Sequence, residues 1–155
     1  MLEIGATSPD FPVDGTTLYG WLEKGPVVVY FYPADFTPLC TKEACMFRDA
    51  HELLSEAGIR VVGISPQSQK SHELFKKMQS LPFTLLSDPT YKIIDAYKSR
   101  GMFGLPLPIG VRRVTYLVSS QRLIVDRSVG ELGFKEHQRL IDRAVDMIKP
   151  ASDTQ

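Results

Sequence analysis

The feature that most constrains the fold is a set of short apolar runs separated by helical patterns. One run, Val27–Tyr32, holds six apolar or aromatic residues in succession. That is the length of a strand and far below the roughly 20 residues that span a bilayer. Uninterrupted runs of this kind are typical of strands that are covered on both faces. The run therefore predicts the centre of a sheet that carries helices on both sides.

Four further runs complete the predicted sheet: Ile59–Ser65, Phe83–Leu86, Arg113–Val118 and Leu123–Val129. Helical patterns lie between the first three strands, which predicts βαβ crossovers and a largely parallel centre. Only a short polar segment separates the last two strands, so we expect them to form an antiparallel hairpin. A closing helix over Phe134–Ile148 carries an apolar stripe. The sequence thus predicts an α/β fold, a central mixed sheet flanked by helices on both faces.

Length and composition predict a single domain. A chain of 155 residues with 43% hydrophobic and 23% charged residues is ordinary for one globular core. We expect this domain to occupy residues 1–149 and to be followed by a flexible tail over residues 150–155, with the sequence PASDTQ. The N-terminal sequence MLEIGATSPDF has neither the basic segment nor the apolar segment of a signal peptide.

Charge and cysteine count limit the classes of partner and compartment. Lys plus Arg and Asp plus Glu both number 18, so no overall charge attracts nucleic acid or an anionic membrane. Two cysteines in a chain of this length do not make a disulfide scaffold. We therefore expect a reducing, cytoplasmic location, where a thiol pair is more often catalytic or metal-binding.

Both cysteines, Cys40 and Cys45, lie in the segment PADFTPLCTKEAC, at the predicted start of a helix. Thr37 followed by Pro38 indicates the helix start, with the threonine hydroxyl as the capping group. Cys40 then falls in the first turn, where unpaired backbone N–H groups and the helix dipole favour a thiolate over a thiol. Cys40 is therefore the candidate nucleophile.

The helical phase separates the two sulfur atoms. Cys40 shares a stripe with Ala44 and Phe47, which should pack on the sheet, whereas Cys45 lies on a polar side. Residues five positions apart differ by about 140° around a helix, and their Cα atoms lie about 8–9 Å apart. A disulfide needs Cα atoms within about 7 Å. A bond between Cys40 and Cys45 therefore requires the first turns of the helix to unwind.

Other interpretations of the cysteines stay open on these residues alone. Cys40 can be a small buried hydrophobe with no chemical role. A zinc site is disfavoured because the spacing differs from a Cys-x-x-Cys pair and no cluster of His or Cys supplies further ligands. A thioredoxin-type dithiol would likewise have two residues between its cysteines, where this chain has four.

The segment FYPADFTPLCTKEACMFRD resembles the active-site segment of the peroxiredoxins, which has the pattern Pro-x-x-x-Thr-x-x-Cys. Two cysteines within one helix resemble the peroxiredoxin Q, or bacterioferritin comigratory protein, branch. The segments GATSPDF, LPFTLLSDPTYKIIDAY and RVTYLV resemble further parts of the family, so the resemblance covers nearly the whole chain. It implies a thioredoxin-like fold and a thiol peroxidase that reduces hydrogen peroxide and organic hydroperoxides without a metal or organic cofactor.

The resemblance implies a role for each matching residue in the helix segment. Cys40 matches the peroxidatic cysteine, which becomes a sulfenic acid, and Cys45 matches the resolving cysteine, which condenses with it. Thr37 matches the hydroxyl that positions the peroxide, and Pro33 matches the proline that forms a wall of the pocket. Thioredoxin or glutaredoxin is then the expected reductant of the disulfide.

Three further positions of the expected site depend on the same resemblance. Arg113, in the segment Arg-x-Thr-x-Leu, matches the arginine that completes the site. Strand alternation sends the neighbouring Arg112 to the opposite face, and only the register of the motif favours Arg113. Phe36 and Leu39 replace a more usual polar residue and a glycine, which predicts an apolar pocket mouth that favours bulkier hydroperoxides.

The remaining polar residues receive structural interpretations. Glu43 resembles a frequent glutamate of the family, but an acidic residue is favourable in the first turns of any helix. His51 and His72 are expected on the surface, and His137 is expected beside the core. None of the three histidines is assigned acid–base chemistry.

Alternative functions differ from a peroxidase in their use of Cys40. A peroxide-sensing interaction protein would react about once instead of turning over. A silent thioredoxin-fold binding module would need none of the Pro, Thr, Cys and Arg residues of the motif. Within the peroxidase reading, a one-cysteine cycle would leave Cys45 free and use an external thiol. The chain ends before the long arm of obligately dimeric two-cysteine peroxiredoxins, so we expect a monomer, with a weak dimer as the alternative.

Overall fold

The computed structural model describes residues 1–101, 110–129 and 135–148 of the chain. The first half contains β1 (Pro12–Val13), β2 (Thr16–Thr17), α1 (Leu18–Leu22), β3 (Val27–Phe31), α2 (Pro38–Glu56) and β4 (Arg60–Ser65). The second half contains α3 (Gln69–Gln79), β5 (Thr84–Ser87), α4 (Lys92–Ala96), β6 (Val114–Val118), β7 (Ile124–Val129) and α5 (Lys135–Ile148).

The central sheet has five strands in the order β5-β4-β3-β6-β7. Strand β3 pairs in parallel with β4, and β4 in parallel with β5, whereas β3–β6 and β6–β7 are antiparallel. All five predicted strands are confirmed, with each bound within one residue, and so are the parallel crossovers and the closing hairpin. The predicted mixed sheet is therefore the observed one.

Apolar side chains cover both faces of this sheet. Every residue of β3 and β6 is buried, which confirms for β3 the prediction made from its uninterrupted apolar run. Alternate residues of β3 point to opposite sides, so Val28 and Tyr30 belong to one apolar cluster and Val29 and Phe31 to another. Helices α2, α3 and α5 pack on the first cluster, and α1 and α4 pack on the second. Helix α2, which carries both cysteines, is thus fixed on one face of the sheet.

A glycine in β4 allows α2 to lie close to the sheet. Gly63 pairs with Tyr30 of β3, and a Cβ atom at Gly63 would lie 2.5 Å from Cζ of the tyrosine ring. The ring therefore lies across the space above Gly63 and stacks on Phe47 of α2, with 4.6 Å between the ring centroids. Close approach of this kind is a common reason for glycine inside a strand.

The sequence analysis missed three small elements that precede the central sheet. Strands β1 and β2 have two residues each, too few for an alternating pattern to be detectable. Helix α1 follows directly, and Oγ1 of Thr17 caps it by accepting a hydrogen bond of 3.1 Å from the Gly20 N–H.

The closing helix that the sequence predicted is observed over most of its length. Helix α5 is observed over Lys135–Ile148, whereas Phe134, the predicted first residue of the helix, and the predicted tail over 150–155 lie outside the described residues. Within the described ranges, no helix is both long and apolar enough to cross a membrane.

Candidate active site

Helix α2 begins at Pro38, as predicted, but the cap is not the predicted one. Thr37 has extended backbone angles, and its carbonyl accepts the Thr41 N–H at 2.8 Å. Its hydroxyl makes no capping hydrogen bond with the helix and instead donates to the carbonyl of Ala34 at 3.3 Å. The prediction of a capping hydroxyl is therefore wrong, because the side chain turns back to the preceding loop. Pro38 fits the first helical position, where no N–H is needed.

The two cysteines lie on different sides of α2, as the helical phase predicted. Cys40 is 2% exposed and belongs to the apolar cluster with Ala44 and Phe47. Cys45 is partly exposed, and its Sγ lies 3.6 Å from Oε1 of Gln79 at the end of α3. Both cysteines are free thiols, and α2 is continuous through both positions.

An arginine reaches the buried Cys40 from the sheet. Arg113, immediately before β6, is 4% exposed, and its Nη2 donates to Cys40 Sγ at 3.3 Å. The neighbouring Arg112 is half-buried elsewhere: burial and then the Arg112 charge lower the pKa of the Met1 amino group. The structure thus brings Arg113 to the cysteine, whereas Arg112 lies near the N-terminus.

The same arginine joins Cys40 to a buried carboxylate. Glu43 is fully buried, and its Oε1 accepts a hydrogen bond of 3.0 Å from Arg113 Nη1. Burial alone would lower the pKa of Arg113, but the charge interactions and hydrogen bonds with Glu43 and Cys40 together outweigh burial and raise that pKa. The interpretation of Glu43 as an acid that merely favours the first turns of a helix is therefore incomplete, because Glu43 is the sixth residue of α2 and lies beyond the first turn. Its position three residues after Cys40, on the same helical face, is the sequence signal that could have placed it here.

His137 of α5 completes this cluster of polar side chains. The histidine is fully buried, so its predicted place beside the core is confirmed. Its Nδ1 lies 2.7 Å from Oγ1 of Thr115 and 2.9 Å from Oγ of Ser128, while its Nε2 lies 3.6 Å from Oε2 of Glu43. The carboxylate of Glu43 therefore lies between Arg113 on one side and His137 on the other.

The other two histidines differ from each other. His51 is only half-buried, whereas His72 is fully buried, so the surface prediction for His72 is wrong. The reason is an acidic partner: Nδ1 of His72 lies 2.7 Å from Oδ2 of Asp35, in the loop before α2. Sequence analysis did not single out Asp35.

The remaining predicted site residues border this loop. Pro33 and Thr37 are exposed, and Leu39 is partly buried. Phe36 is 43% exposed and turns toward α3, where its ring meets Phe75 edge to face with 5.1 Å between the centroids. Arg113 thus contacts both Cys40 and Glu43, whereas Phe36 packs against a different helix.

The described residues show no group of three or more His, Cys, Asp or Glu side chains suited to hold a metal ion. The arrangement that they do show is a buried thiol beside a guanidinium group that a carboxylate fixes in place. Such a donor can stabilise negative charge on the sulfur and on an atom that the sulfur attacks.

The sequence of the chain is similar to one known protein family. The sequence profile of the AhpC/TSA family matches residues 4–127. Peroxiredoxin Bcp of Bacillus subtilis is 37% identical over 131 residues, which cover 80% of this chain and 83% of that protein.

Two solved structures have similar folds. Peroxidoxin BcpB of Mycobacterium tuberculosis superimposes with a TM-score of 0.84 at 31% identity, covering 97% of this chain and 100% of the other. The bacterioferritin comigratory protein of Xanthomonas campestris, studied for its alkyl peroxide reduction activity, gives a TM-score of 0.72 at 28% identity, with coverages of 81% and 82%.

Proposed function

The chain belongs to the AhpC/TSA family, in its peroxiredoxin Q and Bcp branch, and on this premise we propose a reaction cycle for it. Its fold is the thioredoxin-like fold of its structural neighbours, as the sequence predicted. Members of this branch are thiol-dependent peroxidases, which use a peroxide as substrate and a thiol as reductant. The residues that carry out each step in this chain are our proposal.

Cys40 is the proposed nucleophile, and the observation that carries the proposal is its 3.3 Å contact with Arg113 Nη2. The Cys40 thiolate attacks one oxygen of a hydroperoxide, so that an S–O bond forms while the O–O bond breaks. The other oxygen leaves with a proton as an alcohol or as water. Cys40 is then a sulfenic acid.

Fixed donors around the reacting atoms account for the rate of this step. Negative charge moves from sulfur to the leaving oxygen, so donors that are already in place stabilise the transition state more than the ground state. Arg113 is the charged donor, and Glu43 holds its guanidinium with a 3.0 Å hydrogen bond. We assign the Thr37 hydroxyl to the peroxide and Pro33 to a wall of the pocket.

Cys45 is the proposed resolving residue. Its thiol displaces the hydroxyl of the Cys40 sulfenic acid, which forms a disulfide and releases water. The Cα atoms of positions 40 and 45 lie about 8–9 Å apart on an ideal helix, beyond the roughly 7 Å that a disulfide allows. The first turns of α2 must therefore open before the bond forms. A thioredoxin or glutaredoxin dithiol then reduces the disulfide by exchange, in the cytoplasm, where we propose that the protein acts as a monomer.

Intact mass after one equivalent of hydrogen peroxide tests this cycle. We expect the reduced protein to lose two hydrogen atoms and both thiols within one chain, because the Cys40 sulfenic acid condenses with Cys45 before any reductant acts. A Cys45→Ser control should instead gain oxygen on Cys40. Oxygen gain in the parent protein with Cys45 still free would contradict resolution by Cys45 and favour the one-cysteine cycle. No mass change would contradict the assignment of Cys40.

The second test measures the substrate preference of a variant in which Phe36 is replaced. This apolar side chain is 43% exposed beside the active-site helix, and its φ of 65° is a left-handed conformation that asparagine tolerates. For a Phe36→Asn variant, we expect the ratio of kcat/KM for cumene hydroperoxide over hydrogen peroxide to fall about fivefold, because a partial apolar contact contributes roughly 1 kcal/mol. Equal losses for both peroxides would exclude a role of Phe36 in preference.

A further inference from the structure

A second buried polar cluster lies in the loop before α2, and the proposed reaction makes no use of it. Its centre is Asp35, and we call the group formed by Asp35, Tyr32, Ser71 and His72 the clasp. The side chains of Asp35 and His72 are both fully buried. Asp35 lies two residues after Pro33 and two residues before Thr37, both of which we assign to the peroxide pocket.

The carboxylate of Asp35 ties this loop to two other elements. Tyr32, directly after β3, donates its hydroxyl to Oδ1 at 2.7 Å. From the first turns of α3, the Ser71 hydroxyl donates to Oδ2 at 2.7 Å, and His72 Nδ1 lies 2.7 Å from the same oxygen. The backbone N–H of Asp35 also donates to Oε1 of Gln67 at 2.8 Å. Hydrogen bonds to an ionised acceptor are stronger than neutral ones.

The charge state of Asp35 agrees with this geometry. Burial would raise the pKa of the carboxyl group, but the hydrogen bonds from His72, Tyr32 and Ser71 outweigh burial and hold that pKa below its usual value. Asp35 is therefore ionised at neutral pH, and the loop is held by charge-assisted contacts.

Phe36, the residue after Asp35, has a strained backbone conformation, and the clasp holds the loop in that conformation. Phe36 has a φ of 65°, in the left-handed region that non-glycine residues seldom adopt. Such a conformation persists only where its surroundings hold it. Here Asp35 fixes one side, and the contact with Phe75 of α3 fixes the side chain. Release of Asp35 would let the backbone of the loop relax. This relaxation would change the backbone at Thr37 and Pro38, where α2 begins.

We propose that the clasp controls how often the first turn of α2 opens, with Asp35 and His72 as positioning residues. This inference rests on the cycle proposed above, in which the Cys40 sulfenic acid has two fates. With the turn open, the sulfenic acid condenses with the Cys45 thiol to give a disulfide and water. With the turn closed, it takes an oxygen atom from a second peroxide molecule, which gives a sulfinic acid together with an alcohol, or with water when the peroxide is hydrogen peroxide. The clasp therefore sets the ratio of these products.

Two substitutions and a matched control test the proposal. Asp35→Asn removes the charge at nearly constant shape, and His72→Phe removes a partner while keeping an aromatic ring. Tyr97→Phe is the control: it removes a buried hydroxyl, 2.7 Å from Ser8 Oγ, in the apolar cluster on the opposite face of the sheet. Each reduced protein is treated with excess hydrogen peroxide without reductant, and intact mass gives the ratio of disulfide to sulfinic acid.

The expected result is a rise of about tenfold in this ratio for both clasp variants, since loss of a hydrogen bond to a buried charge shifts a local opening by roughly that factor. Tyr97→Phe should leave the ratio unchanged. An unchanged ratio in both folded clasp variants would overturn the proposal. A general loss of stability would move the control as well, and that outcome would also overturn it.

Amide hydrogen exchange of the reduced proteins reports on opening without any oxidation. We expect the amides of Thr41–Ala44 to exchange about tenfold faster in Asp35→Asn than in the parent protein, with no change in the C-terminal half of α2. If the parent protein forms no disulfide, the proposed role of Cys45 fails, and the exchange rates alone then decide on the clasp. Should Asp35→Asn not fold, the same comparison with His72→Phe applies. Equal rates at Thr41–Ala44 would overturn the clasp even if the disulfide forms normally.

Discussion

A Cys40→Ser variant is expected to lose peroxide reduction by at least roughly a thousandfold, because a serine hydroxyl is a far weaker nucleophile toward an O–O bond than a thiolate. The side chain is nearly isosteric and 2% exposed, so the fold should be kept. The measurement is peroxide consumption at a fixed dithiol concentration, with the unfolding midpoint recorded for each protein.

Cys45→Ser is the matched control, because it removes the other thiol from the same helix. This variant should consume one equivalent of peroxide as fast as the parent protein does, and then slow down unless an external thiol is present. Residual turnover by Cys40→Ser at the parental rate would contradict the assignment of the nucleophile. A parent protein that reacts once and does not turn over with any dithiol would instead behave as a peroxide sensor.

The elements of the fold were predictable because their signals are local. Each of the five sheet strands is an apolar run bounded by polar or turn residues, which is why its observed bounds fall within one residue of the prediction. The burial of Cys40 and the partial exposure of Cys45 follow from helical phase alone. In contrast, β1 and β2 are held by pairing between only two residues each, for which no sequence pattern exists.

The errors in the predicted roles of Glu43 and His72 have a different cause: their partners lie far away in the sequence. Glu43 is buried because Arg113, 70 positions later, neutralises its charge. His72 is buried because the carboxylate of Asp35, 37 positions earlier, forms a hydrogen bond with it. A buried charge needs a partner, but the sequence does not say which partner the fold supplies. The interpretation of single polar residues by their local helix position therefore fails where a long-range ion pair forms.

These long-range pairs form two groups of residues, which hold different parts of the structure around the start of α2. Glu43 and Arg113 fix the side of Cys40 that faces the sheet, through hydrogen bonds of 3.0 and 3.3 Å. The clasp fixes the loop on the other side of the helix start, five positions before Cys40. In the proposed cycle, the first group acts on attack by the thiolate, and the second acts on the later reaction of the sulfenic acid. Substitutions in the two groups should therefore change different steps.

The largest effect on the first step, apart from loss of the thiol, is expected from Arg113. Arg113→Lys keeps the charge, but an ammonium group cannot donate to Cys40 and Glu43 together in the fixed geometry of a guanidinium fork. We expect kcat/KM for hydrogen peroxide to fall about 100- to 1000-fold, the usual cost of losing one fixed donor at a developing charge. The rate of Cys40 alkylation by iodoacetamide, measured in a Cys45→Ser background, should fall as well, because the sulfur loses the guanidinium hydrogen bond that favours its thiolate form.

A double-mutant cycle with Glu43 decides whether the carboxylate acts through the arginine. Glu43→Gln keeps the shape of the side chain but removes the charge that holds Arg113, and we expect a loss of about tenfold in kcat/KM. If Glu43 only positions the guanidinium, then Glu43→Gln should add little in an Arg113→Met background, where no guanidinium is left to position. Fully additive losses, in proteins with matched unfolding midpoints, would mean that Glu43 acts on Cys40 or on the peroxide independently. Coupled losses would establish that the carboxylate acts on the reaction through the orientation of one guanidinium group.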